Sequence, residues 1–220
     1  GVETSGGHRG WSAAERSHAA MVERLDRDVG RILDLLEDLE IDDETIVFFC
    51  SDNGAAERWT GRFDSSGALR GRKRDMTDGG LRTPMLVRWP EVVPAGKVSG
   101  TVWYFADVLP TLAELGGGQV PEGLDGVSVA AILRGGKDEL DERLLYWEYF
   151  ERGFQQAARW GDWKAIRPKP GAALQLYDLR RDPGEKSDLA AGNPELVRLL
   201  EQMLGKARTS SRHWPSPIDP

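Results

Sequence analysis

"TIVFFCSDNG", residues 45–54, is a run of β-branched and aromatic residues that stops abruptly at four small or polar ones. An unbroken apolar run of this kind predicts a strand covered on both faces, as in a largely parallel sheet. Upstream, Val22, Leu25, Val29, Ile32, Leu36 and Leu39 are spaced alternately by three and four, with charges between them. That spacing predicts one long amphipathic helix from Ser12 to Glu40 with a single buried stripe. A helix leading into a buried strand is the pattern of an α/β fold.

Downstream, the stretch from Ala55 to Gly80 is polar and rich in Gly and Arg, and too long for a simple connection. Loops of this length in compact domains are usually functional or disordered. "TPMLVRWP" then predicts a second buried strand. Asp107 is placed to cap a helix through "VLPTLAELGG", with Pro110 in the first turn, where its missing N–H does no harm.

After "LDGVSVAAILRGG" the texture changes. "LLYWEYF", "QQAARW", "DWKAIRP" and "LQLYDL" are separated by Gly, Asp or Pro, which predicts an antiparallel meander. Asn193 and Pro194 suit an N-cap and first helical position. Leu196, Leu199 or Leu200, Met203 and Leu204 give that last helix an apolar face. The expected organisation is therefore an α/β part over residues 1–135 and a small antiparallel sheet with a helix over 136–220. Residues 1–10 read as a loop or disordered lead-in, and the Pro-rich tail "SSRHWPSPIDP" as extended chain.

Of the 220 residues, 40% are hydrophobic, enough to bury a core, and the net charge of -7 disfavours a nucleic-acid backbone as partner. The single cysteine allows no intramolecular disulfide. No stretch reaches the roughly 18 to 20 apolar residues of a membrane span. "GVETSGGHRG" lacks the apolar core of a signal peptide, and the chain starts at Gly1 rather than Met, so localisation is unknown.

Asp52 and Asn53 follow the first strand, and ligands of open α/β sheets gather beyond the carboxyl ends of strands. A carboxylate beside an amide oxygen suits a hard cation such as Ca²⁺ or Mg²⁺. Asp-Asn-Gly is also ordinary turn chemistry, and on these residues alone the turn is the commoner reading. Arg70, Arg72, Lys73 and Arg74 either grip an anion or form a solvated loop. Cys50 reads as a small buried hydrophobe with no base beside it. His8, His18 and His213 are scattered without metal-ligand spacing, His18 on a partly exposed helix face. The Trp and Tyr residues of 146–177 read as packing for the small sheet, with an aromatic surface for sugar rings as the alternative.

Three blocks, "HAAMVERLDRDVGRILDLLEDLEIDDETIVFFCSDNG", "LRGRKRDMTDGGLRTPMLVRWP" and "FADVLPTLAELGG", resemble in order and spacing the sulfatase family of the alkaline-phosphatase-like superfamily. The resemblance continues through "YWEYF", "AARWGDWKAIRP" and "LQLYDLRRDPGEKSDLA", and covers Trp11 to Arg208. It implies the C-terminal part of a sulfatase α/β fold with its small antiparallel subdomain. It further implies that Asp52 and Asn53 correspond to two calcium ligands and Lys73 to the lysine that contacts the substrate sulfate. The implied substrate is a sulfated small molecule or glycan.

The family nucleophile is a formylglycine made from the Cys or Ser of a C-x-P-x-R motif, and that motif does not occur here. Cys50 precedes Ser51 and Asp52, so it does not inherit the role, and His8 matches no active-site histidine. The family's early pair of metal-binding aspartates also has no counterpart. The expectation is a chain inactive alone, with weak Ca²⁺ binding and self-association through an exposed sheet edge. Family members are often exported. A phosphatase or phosphodiesterase of the same superfamily, or a metal-independent module that binds sulfated glycans, are the alternatives.

Overall fold

The structure, a computed structural model, describes residues 10–151, 153–213 and 215–217. The chain forms two compact units, each assembled from several stretches. The first comprises the chain up to Phe48 with Val87–Val98 and Leu133–Gly136. The second comprises Phe49–Leu86, Ser99–Ile132 and the chain from Lys137 onward. Residues 137–220 thus pack with two earlier stretches, and the compact units do not follow a single cut at 135/136.

In the first unit, helix α1 spans Ala13–Asp38. It starts where it does because Ser12 and Glu15 form a reciprocal capping box. The Glu15 N–H donates to Ser12 Oγ at 3.2 Å, and the Ser12 N–H to Glu15 Oε2 at 2.6 Å. The apolar stripe is present but not buried. No α1 residue is fully buried, Val22, Leu25 and Leu39 are exposed, and Ile32 is 56% exposed. The reason lies in what the unit contains: short connecting stretches and parts of two short strands, too little apolar surface to cover 26 residues of helix. After α1, Arg88 forks onto the Asp42 carboxylate, one arm at 2.7 Å, and Trp89 Nε1 donates to the Asp43 carbonyl at 2.7 Å. The hydrogen-bonded guanidinium of Arg88 holds the Asp42 carboxyl below its usual range.

Strands β1 (Val47–Cys50) and β2 (Met85–Arg88) are hydrogen-bonded neighbours in a two-stranded sheet. Neither is the doubly covered strand expected from its composition. Phe49 is exposed, Leu86 is 63% exposed, and Cys50 is a half-buried free thiol. A two-stranded sheet has nothing to cover its second face unless other elements pack there.

The second unit has the expected meander. Strands β3 (Leu144–Tyr149), β4 (Gln155–Trp160), β5 (Trp163–Arg167) and β6 (Gln175–Asp178) lie in that order, every neighbouring pair antiparallel. Period-two alternation divides their side chains between two cores. On one face Ala158, Ala165, Leu174 and Leu176 meet Leu200 and Leu204 of helix α6 (Pro194–Ala207), so of the two alternatives Leu200 is inward and Leu199 exposed. On the other face Ala157, Ile166, Tyr177 and Leu179 pack around Met76, which belongs to the long polar loop. Tyr146, Trp160 and Trp163 line the first core and Trp147, Tyr149 and Tyr177 the second, so the aromatic residues serve packing.

Two short helical turns interrupt the loop, α2 (Glu57–Thr60) and α3 (Asp78–Leu81). Helix α4 (Val108–Leu115) follows a 3₁₀ turn at Phe105–Asp107, and α5 spans Ala130–Leu133. Asp107 sits at the N-terminus of α4 as expected, but its carboxylate does not cap that helix. It faces back, accepting from the N–H of Tyr104 at 2.9 Å and of Val127 at 2.8 Å, and from both terminal nitrogens of Arg143 at 2.5 Å. Asp107 is wholly buried, so a forked guanidinium partner stabilises it better there than backbone donors alone.

Candidate functional site

Asp52 and Asn53 lie in the turn that follows β1, where Ser51 Oγ donates to the Asn53 carbonyl at 2.9 Å. Asp52 is exposed and Asn53 half-buried. The turn is held against the long loop by backbone contacts. Gly54 N–H donates to the Gly80 carbonyl at 2.9 Å, Lys73 N–H to the Ala55 carbonyl at 2.8 Å, and Gly79 N–H to the Arg70 carbonyl at 2.8 Å. The turn at 51–55 thus meets 70–75 and 78–80 of the long loop backbone to backbone.

Glycine makes that meeting possible. A Cβ on Gly54 would overlap the Gly79 carbonyl and lie 2.8 Å from Gly80 Cα. One on Gly79 would strike the Gly71 carbonyl, and one on Gly80 the Asp75 carbonyl. These carbonyls cannot swing aside as a side chain can, so every one of the three positions needs hydrogen in place of Cβ.

The basic cluster divides. Arg70 lays its guanidinium over the Tyr177 ring at 4.7 Å, Arg72 pairs with Glu57 at 3.0 Å, and Arg74 Nε binds Glu151 at 2.7 Å and the Tyr149 hydroxyl at 3.1 Å. The three arginines thus bind protein partners. Lys73 is exposed, and among the described residues its ammonium takes no hydrogen-bond or ion-pair partner, although it lies in electrostatic reach of Glu151. Hydrogen bonds from Tyr149 and Arg74 hold the Glu151 carboxyl below its usual range. Arg74 itself adopts φ +82, a left-handed conformation uncommon outside glycine.

The Lys73–Ala55 backbone hydrogen bond thus joins the loop that carries a lysine to the turn that carries a carboxylate and an amide. Among the described residues no three His, Cys, Asp or Glu side chains converge, while Ca²⁺ takes about six to eight oxygens. Asp52 and Asn53 offer suitable donors but do not themselves make a calcium site. His18 is half-buried on α1, and His213 is exposed and accepts from Arg212 at 3.0 Å. His8 lies outside the described residues.

Three further charged residues of the second unit are out of reach of solvent. Lys164, Asp78 and Glu185 are all buried, Lys164 being only 1% exposed. The signal was available: a lysine within the strand-like run "DWKAIRP", flanked by inward-facing residues, is out of place unless paired.

A profile described as Sulfatase matches residues 6–118, and one described as N-sulphoglucosamine sulphohydrolase, C-terminal, matches 71–211. Among curated proteins, the steryl-sulfatase of Mus musculus is 32% identical over 89% of this chain and 37% of its own length. Arylsulfatase A of Homo sapiens is 33% identical over 88% of this chain and 44% of its own. The chain therefore spans less than half the length of these relatives.

Among solved structures, Ps i-CgsB in complex with k-i-k-neocarrahexaose superposes with a TM-score of 0.75 at 29% identity, covering 90% of this chain and 44% of that one. A structure in complex with its substrate D-glucosamine-2-N,6-O-disulfate superposes at 0.70 with 28% identity, covering 84% of this chain and 38% of that one.

Proposed function

This chain belongs to the sulfatase family, and we propose that it supplies one wall of an active site that hydrolyses sulfate esters. Lys73 contacts the sulfate of the substrate, and Asp52 and Asn53 are two oxygen ligands of a calcium ion. The observation that carries this reading is the glycine-packed junction that holds Lys73 beside the Asp52–Asn53 turn while the neighbouring arginines bind protein partners.

The chemistry follows from charge. A sulfate ester concentrates negative charge on its oxygens as the S–O bond breaks, and a fixed ammonium stabilises that charge most in the transition state. Lys73 is suited to this as a compact point charge whose backbone is anchored and whose head is exposed. A calcium ion would supply further positive charge to the same oxygens.

The nucleophile is proposed to come from a formylglycine on polypeptide other than residues 1–220, since no C-x-P-x-R or S-x-P-x-R motif occurs among them. The chain alone is proposed to be inactive. Saccharides bound to two similar structures favour a sulfated glycan as substrate.

The test begins with the reading frame around this chain, which is expected to encode such a motif upstream. The encoded protein, formylglycine installed, should hydrolyse a chromogenic aryl sulfate. Lys73→Ala should lower kcat/KM by about 10² to 10³, the usual cost of removing one charge-stabilising donor. Full activity in that variant, or turnover by residues 1–220 alone, would contradict the assignment.

A further inference from the structure

The buried charges behind the site form one connected group within the second unit. Lys164 Nζ on β5 donates to Asp78 Oδ1 at 2.5 Å and lies 3.0 Å from Glu185 Oε1. The latter contact is electrostatic, because Glu185 Oε1 accepts no hydrogen bond. Glu185 Oε2 accepts the backbone N–H of Asp78 at 2.7 Å. Asp78 is therefore held twice, through its carboxylate by the sheet and through its peptide by the loop after β6. Arg159, the register partner of Lys164 on β4, lies within electrostatic reach of Asp78.

Asp78 immediately precedes Gly79 and Gly80, the two residues whose missing Cβ atoms admit the carbonyls of Arg70, Gly71, Arg72 and Asp75. The Gly80 carbonyl in turn receives the Gly54 N–H. A continuous path thus runs from Lys164 through Asp78 and the diglycine to the turn bearing Asp52 and Asn53 and to the loop bearing Lys73. Met76 seats that loop on the sheet by apolar contact, but Met76 is one flexible side chain and does not fix a register. The ion group is directional and does.

We infer that Lys164, Asp78 and Glu185 are positioning residues, a buried clamp that sets where Lys73 stands relative to Asp52 and Asn53. The clamp rests on the reading of those three residues as the site, but its consequences appear without any substrate. Buried ion groups add little to stability compared with apolar packing of the same volume, and their best-attested use is to specify one arrangement.

The test is amide hydrogen exchange on the chain with Lys164→Met and, separately, Glu185→Gln. The glutamine keeps an acceptor for the Asp78 N–H but loses the charge, so it reads out the clamp even where the methionine variant does not fold. The expected result is an acceleration of exchange at the Gly54 and Lys73 amides at least tenfold greater than that at the amides inside β4 and β5. A uniform acceleration across site and sheet would reduce the group to general support of the fold and overturn the inference. Unchanged exchange at Gly54 and Lys73 would overturn it as well. Neither outcome bears on whether Lys73 contacts sulfate, which the kinetics of Lys73→Ala decide.

Discussion

Gly54→Ala is expected to destabilise the second unit by about 3 kcal/mol or more, at the upper end of overpacking costs. The added methyl would overlap the Gly79 carbonyl and sit 2.7 Å from the Gly79 carbonyl carbon, with only backbone in front of it. Relief requires the 51–55 turn to separate from 78–80, which breaks the Gly54 to Gly80 hydrogen bond at the same time. Gly30→Ala makes the control. Gly30 lies within α1 with nothing within 4 Å of the added Cβ, so there alanine should stabilise by about 0.5–1 kcal/mol through helix propensity and a less flexible unfolded chain. Urea denaturation of the two variants beside the parent separates these opposite signs. Equal effects would mean that the glycine junction is not as tight as described.

Arg143→Met is expected to cost about 3–5 kcal/mol, because it strands a fully buried carboxylate. Asp107 would keep the N–H groups of Tyr104 and Val127 but lose both guanidinium contacts at 2.5 Å. The surroundings cannot readily yield. A Cβ on neighbouring Gly126 would overlap the Ala106 carbonyl, and Thr111 Oγ1 is already engaged, donating to the Asp107 carbonyl at 2.6 Å and accepting the Val129 N–H at 3.0 Å. Adding Asp107→Asn to Arg143→Met should recover part of the loss, since the stranded charge goes, but the amide keeps one acceptor oxygen for the two N–H groups of Tyr104 and Val127 and turns its NH2 toward the other. Thermal unfolding of the single and double variants measures the coupling. Additive losses would show that Arg143 acts through packing on the Tyr104 ring, which its guanidinium overlies at 5.4 Å, rather than through charge.

Local pattern made the elements legible. The three-and-four spacing of α1, the Asn193–Pro194 start of α6 and the alternation of β3 to β6 are read within a few residues of where they act. Burial was less legible, because it depends on what lies opposite. The stripe of α1 and the apolar residues of β1 and β2 have the composition of a core and only partial cover.

The same limit applies to the proposed site. Asp52, Asn53 and Lys73 are proposed from a resemblance to a family pattern, whereas the Lys164 group joins residues 86 and 107 positions apart, beyond the reach of any periodicity. Asp107 shows the limit within a single turn. Its position at a helix start was evident, but its true partner, Arg143, is 36 residues away.

The proposed role of Asp52 and Asn53 beside the Lys73 loop is tested most directly by titrating Ca²⁺ into the chain while following backbone amide shifts. The geometry predicts shifts confined to 51–55 and 71–74, with a midpoint on the order of 10⁻³ M, as befits two ligands on an exposed turn. Asp52→Ala should remove them. Shifts centred elsewhere, no response at Asp52 and Asn53 at tens of times that concentration, or tight submicromolar binding would contradict the proposed pair of ligands.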